Sequence, residues 1–197
     1  MVEVRRATLE DVPRLAELLG EAFAEDPMLT STFPADGIAE RVRHVFEVLD
    51  REAVGLGWMW TTEDVSAAAM WVPPGSDGAY DGFLEHTADE LLAVTDDHGA
   101  RYDAFWTWVE EHRPTGPHWY LDHLAVASER RGAGIGSALL EHGVDLARAD
   151  GTPAFLVTSK ASNVPYYERR GFVIAEEAEA PDGGPHLWFM RCDGRGY

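Results

Sequence analysis

Cysteine and lysine are nearly missing from this chain: in 197 residues Cys192 and Lys160 are the only ones. A lone cysteine excludes an intrachain disulfide and fits a reducing compartment. Long apolar runs are missing too. The longest, Ala67 to Val72, is far too short to span a bilayer. The opening residues, MVEVRRATLEDV, lack the apolar segment of a secretory signal, so a cytoplasmic protein with no membrane partner is expected. Positive charge is in deficit: 16 Lys and Arg stand against 35 Asp and Glu, a net charge of −19. That balance argues against nucleic-acid binding, which rests on basic surface. It suits a solubilising surface, and it is compatible with drawing in a cationic substrate. The eight histidines show no metal-ligand spacing with Cys192 or with one another, so no metal is expected.

What remains is the composition of an ordinary globular protein, 45% hydrophobic and 26% charged, expected to form one domain over residues 1–197. Val2 to Ala7 alternates like a strand, and Thr8 or Asp11 can cap a helix running to about Ala24. A turn-rich stretch precedes a helix from Ile38 to about Ala53, with apolar residues at helical spacing. GLGWMWTT and SAAAMWVPPG read as adjoining strands, followed by helical patterns over Asp81 to Val94 and Arg101 to His112. A strand from His118 to Val126 leads into a glycine turn and a helix to about Asp150. The strand Ala154 to Thr158, a short helix near Pro165 to Arg170, and a hairpin of Phe172 to Ala175 with His186 to Arg191 complete a mixed α/β layer.

The glycine turn, RRGAGIGSALL, puts glycines at 132, 134 and 136 directly before a helix-forming run. Glycine is a poor helix starter unless something must approach the backbone closely. The first-turn N–H groups of a helix have no intrahelical partner and carry the positive end of the helix dipole. Gly132, Gly134 and Gly136 are therefore suited to cradling a phosphate, with Arg130 and Arg131 as flanks. A nucleotide P-loop would need a lysine after the glycines, and the dinucleotide fingerprint would need glycine where Ser137 or Leu139 stands. The pattern that fits is R-x-x-G-x-G, in Arg131, Gly134 and Gly136.

LDHLAV, RRGAGIGSALL, PAFLVTS and NVPYYERRGF follow one another in an order and spacing that resembles the GNAT superfamily of acyl-CoA-dependent acyltransferases. RRATLEDVPRLAELLGEAFAEDP and AAAMWVPPG are similar to the front of its puromycin N-acetyltransferase-like branch. The resemblance implies a single-domain α/β fold, its mixed sheet of about six to seven strands splayed between the fourth and fifth. Residues 1–117 would lie mainly on the acceptor side, and 118–175 would form the acyl-CoA core. Leu124, Ala125 and Val126 would offer backbone groups to the pantetheine arm. Arg131, Gly132, Ala133, Gly134, Ile135, Gly136 and Ser137 would hold the pyrophosphate, and Asn163 would reach the cofactor from the far side of the splay.

By the same resemblance Tyr167 would contact the cofactor and act as general acid toward the leaving thiolate, with Tyr166 packing. Asp122 stands where many members carry a glutamate and would serve as base. His123, its neighbour, would face the other way unless a bulge intervenes. Glu25 and Asp26 are alternative partners for a cationic acceptor. Trp58, Trp60, Trp71, Trp106, Trp108 and Trp119 are candidates for an acceptor pocket, but most are expected in the core, since aromatics at alternate strand positions and on amphipathic helices pack inward; Trp71 and Phe33 lie in segments that the resemblance puts on the acceptor side. The function implied is acetyl-CoA-dependent N-acetylation of a primary amine, of a small molecule, by direct attack in a ternary complex. Such folds are often homodimers, though no residue here decides that. The rival is a non-catalytic acyl-CoA sensor, which would keep the glycine turn and Asn163 but have no need of Tyr167.

Overall fold

The computed structural model describes residues 2–193, leaving aside the side chains at 77–81, 83 and 84. Strands β1 (Val4–Arg6), β2 (Met59–Thr62), β3 (Ala67–Val72), β4 (Trp119–Val126), β5 (Ala154–Thr158), β6 (Val173–Glu179) and β7 (His186–Cys192) form one mixed sheet, in the order β1-β2-β3-β4-β5-β7-β6. Only β4 and β5 pair in parallel. Helices α1 (Val12–Phe23), α3 (Ile38–Leu56) and α5 (Ala100–Glu111) bury apolar residues on one face, with α4 (Asp77–Leu92) against α3. On the other face lie α6 (Ile135–Asp150) and the short α7 (Val164–Glu168). β3 is buried at every position, because AAAMWV runs through the middle of the sheet with helices over both faces.

Three features differ from the expectation drawn from sequence. The turn-rich stretch contains a further helix, α2 (Pro27–Thr32), which starts where Pro27 supplies a preset φ and the Asp26 carboxylate accepts from the Met28 N–H at 3.0 Å. Asp11 occupies the cap position of α1, but its carboxylate is taken up by the Thr8 N–H (2.8 Å) and by both terminal nitrogens of Arg5, locking β1 to α1. β6 runs on to Glu179 through an acidic stretch that reads poorly as a strand. It sits at the sheet edge with both faces exposed, where charge is tolerated and discourages further pairing. Among the described residues no helix is long and apolar enough to cross a membrane.

Two irregularities of β4 create the site. Its pairing with β5 covers only Trp119↔Ala154, Tyr120↔Phe155 and Leu121↔Leu156, after which the strands part. On its other edge β4 bulges. Leu121 lies opposite Trp71 and His123 opposite Met70, so Asp122 is the extra residue. The bulge resets the alternation, and Asp122 and His123 do not fall on opposite faces as strict alternation requires.

Candidate functional site

Where β4 and β5 part, a cleft of about 760 Å³ opens. Its floor is the β4 segment Leu124, Ala125 and Val126, whose edge toward β5 has no strand partner. One wall is the glycine turn and the start of α6. Gly132 and Gly134 have φ of +81° and +80°, a left-handed backbone that side chains rarely adopt, and a Cβ at either would meet open space. At Gly136 a Cβ would come within 3.1 Å of the Val126 side chain and 3.2 Å of the Tyr166 hydroxyl, so the first turn of α6 lies close on the strand. No side chain caps α6, leaving its first-turn amides to whatever enters the cleft.

The opposite wall comes from α7 and the loop before it, with Lys160, Ser162, Asn163, Tyr166, Tyr167 and Arg170. Asn163 donates to the Thr158 hydroxyl at 3.2 Å, fixing its amide at the end of β5. Tyr167 is buried, and burial pushes its phenol up, so it keeps its proton at neutral pH. The Tyr166 hydroxyl is buried without a hydrogen-bond partner. Of the residues read from sequence as cofactor-binding, the cleft brings together all but Ala133, which lies within the turn.

Four cations, Arg130, Arg131, Lys160 and Arg170, line this cleft, against the single carboxylate of Asp26, in a chain of net charge −19. Arg170, the second arginine of NVPYYERRGF, is a cleft residue that the motif does not mark as a ligand by its spacing. It stacks over the Tyr166 ring (3.8 Å), donates to the Tyr166 carbonyl (2.7 Å), and reaches the Ser137 hydroxyl across the cleft. Asp26 is not a solvated carboxylate. It is buried, caps α2, accepts from the Ser159 hydroxyl (3.2 Å) and lies 3.4 Å from Lys160 Nζ.

Asp122 lies in the wall of a second cavity, of about 340 Å³, with Leu49 of α3, Leu91 and Leu92 of α4, and Tyr102, Asp103, Trp106 and Glu110 of α5. Its Oδ1 takes the Nδ1 hydrogen of His123 at 2.9 Å. The other ring nitrogen of His123 stands 3.4 Å from Oδ1 of Asp50, a close ion pair more than an aligned hydrogen bond. Both Asp50 and His123 are buried. Burial alone would depress the His123 imidazole, but hydrogen bonding and attraction to the two flanking carboxylates prevail and push it up to about 9. Burial pushes the Asp50 carboxyl up as well.

The tryptophans fall mostly in or against the core, and this includes the two aromatics singled out for the acceptor side, Trp71 and Phe33. Trp71 is fully buried between β3 and α6, its indole N–H on the Leu139 carbonyl (3.3 Å), and Phe33 packs in the core against Tyr102. Neither lines the cleft or the second cavity, because their segments supply the sheet centre and the packing under α5. Of the six tryptophans named, Trp106 alone lines either of these two cavities. Among the described residues no cluster of three or more His, Cys, Asp or Glu side chains could hold a metal.

Residues 99–172 match the model of the Acetyltransferase (GNAT) family. An uncharacterized N-acetyltransferase of Schizosaccharomyces pombe is 25% identical over 185 residues, 87% of this chain and 74% of that protein. Among solved structures, a Corynebacterium glutamicum protein described as histone acetyltransferase HPA2 and related acetyltransferase superposes with a TM-score of 0.74 at 27% identity, covering 97% of this chain and 96% of its own. The polyamine N-acetyltransferase of Drosophila melanogaster, at 15% identity, covers 97% and 99% with a TM-score of 0.66, a likeness of fold alone.

Proposed function

We propose, from the GNAT acetyltransferase fold that this chain has and the family pattern over residues 99–172, that the protein is a cytoplasmic enzyme moving an acetyl group from acetyl-CoA to a primary amine of a small molecule. The observation that carries this reading is the cleft at the splay, where four cationic side chains and the uncapped amides of α6 collect in an acidic chain. That donor set fits an elongated, polyphosphorylated cofactor. When bound, acetyl-CoA supplies an acetyl thioester, at whose carbonyl carbon the amine nitrogen forms its new bond as the C–S bond breaks.

Each residue then has a task. The unpaired edge of Leu124, Ala125 and Val126 offers strand-like hydrogen bonds to a pantetheine arm, and an N–H there stabilises charge building on the carbonyl oxygen. The amides from Gly132 to Ser137, with Arg131, hold the pyrophosphate, and Asn163 steadies the arm from the β5 side. Tyr167, kept protonated by burial, gives its proton to the departing sulfur. Asp122 accepts a proton from the amine, so that a neutral nitrogen attacks. The front of the chain, in RRATLEDVPRLAELLGEAFAEDP and AAAMWVPPG, supports the puromycin N-acetyltransferase-like branch.

The test is release of free CoA thiol from acetyl-CoA against a panel of amines, with Tyr167→Phe alongside. We expect turnover that falls by about tenfold or more in the variant, with acetyl-CoA affinity little changed. Tight acetyl-CoA binding with no turnover on any amine would favour the sensor. Absence of acetyl-CoA binding would refute the reading of the glycine turn.

A further inference from the structure

The two cavities that meet β4 carry opposite charge. The cleft at 124–126 is lined by four cations, whereas the described residues lining the cavity at Asp122 include Asp103, Glu110 and Asp122 and no lysine, arginine or histidine, with Glu110 ion-paired to Arg113 and Asp122 to His123 behind the wall. Two residues of strand, about 7 Å, separate Asp122 from Leu124. The buried His123 lies between them, and its ring packs against Phe23, which lines the cleft (centroids 6.4 Å apart). A molecule seated in the second cavity with its end at Asp122 is thus beside the point where the cleft reaches the strand.

The rest of the second cavity is apolar. Leu49, Leu91, Leu92, Tyr102 and Trp106 supply walls that favour a hydrocarbon or ring over anything charged. A second ammonium group held against the leucines and Trp106, away from Asp103 and Glu110, would lose its water without a partner. The volume, about 340 Å³, is that of a small-ligand pocket and not of a peptide groove. Asp122 is held from behind by His123, itself beside Asp50, so the carboxylate at the end of the cavity is kept in place.

We propose that this second cavity is the acceptor pocket and that the acceptor is a primary amine on a compact apolar body, an aryl- or alkylamine, in place of a polyamine or a lysine side chain of a protein. The proposal rests on the acetyltransferase reading and names the substrate class of that site. The ammonium reaches Asp122 and loses one proton to it, its neutral nitrogen bonds the acetyl carbon as sulfur leaves with the Tyr167 proton, and the second N–H proton, shed as the amide forms, returns to the Tyr167 phenolate.

The experiment compares phenethylamine and hexylamine with spermidine and a lysine peptide by thiol release, with acetyl-CoA binding measured separately by calorimetry. We expect kcat/KM for the two apolar amines to exceed that for spermidine and peptide by about tenfold or more. Trp106→Ala should raise the phenethylamine KM by about tenfold, with acetyl-CoA affinity unchanged. Leu92→Lys is the second variant. Leu92 is 38% exposed at the end of α4, so a lysine there folds readily and puts a cation in the pocket wall. It should raise that KM comparably. Preference for spermidine or peptide, or a phenethylamine KM unmoved in both variants, overturns the acceptor class while leaving the acetyltransferase reading intact. No acetyl-CoA binding refutes that reading and takes the acceptor assignment with it.

Discussion

His123 is a cation in the interior, and its protonation is linked to stability. Its value in an unfolded chain is near 6.5, while in the fold it is pushed up to about 9. The stabilisation from the Asp122 and Asp50 contacts is therefore complete below pH 6.5 and is lost as pH rises through about 9. Between those values the native state holds the proton more tightly, and unfolding free energy should drop by at most about 1.4 kcal/mol per pH unit. Denaturant midpoints measured at intervals across that range would show the decline, and His123→Gln should flatten it. A wild-type profile as flat as the variant's would mean that the imidazole is neutral in the fold. Asp50 was readable in principle: it sits four residues after Phe46 and three before Ala53, a carboxylate on the apolar stripe of α3. Periodicity alone marks the stripe and gives no reason for the exception. That reason, His123, is 73 residues away in sequence and meets it only in the folded sheet.

At the scale of elements, α6 lies on β3 closely enough that one methyl group matters. A Cβ at Gly143 would stand 1.9 Å from the Trp71 ring, which has no room to move in a fully buried site. Gly143→Ala should therefore destabilise by about 1–3 kcal/mol or more despite the better helix propensity of alanine, as read by urea unfolding. A neutral or stabilising result would mean that α6 can slide on the sheet. Asp26 joins elements in another way, capping α2 while contacting Ser159 and Lys160 beyond β5. Asp26→Ala should cost about 1–2 kcal/mol, the upper range for a lost cap, and should also loosen the loop carrying Asn163. The order and pairing-type of these elements follow from local patterns. The cap at Asp26, the bulge at Asp122 and the length of β6 do not, because each depends on what a neighbouring strand or loop presents. The cofactor side of the site was legible for a related reason. Its contacts come from backbone in one contiguous turn, and a turn with special φ leaves glycines in the sequence. The second cavity is assembled from α3, α4, α5 and one bulged residue, and side-chain walls gathered from separate helices leave no motif.

Across the whole molecule, charge is sorted: an acidic surface, a basic cleft and an acidic pocket. For a cationic acceptor the long-range field and the pocket act in the same direction, so kcat/KM toward a primary amine should fall as salt is raised. Toward a neutral analogue lacking the ammonium, binding should be insensitive to salt. Steady-state assays from about 0.05 to 0.5 M salt would read this directly, a range over which the screening length drops from well above to well below 10 Å. A salt-independent kcat/KM for the amine would remove the surface from any part in substrate capture. The scarcity of lysine has a separate, practical outcome. The one side-chain amine of the chain, Lys160, is 35% exposed at the rim of the cofactor cleft and lies beside Asp26. An amine-reactive dye or crosslinker thus has a single side chain to modify, positioned as a natural reporter of whether that cleft is filled.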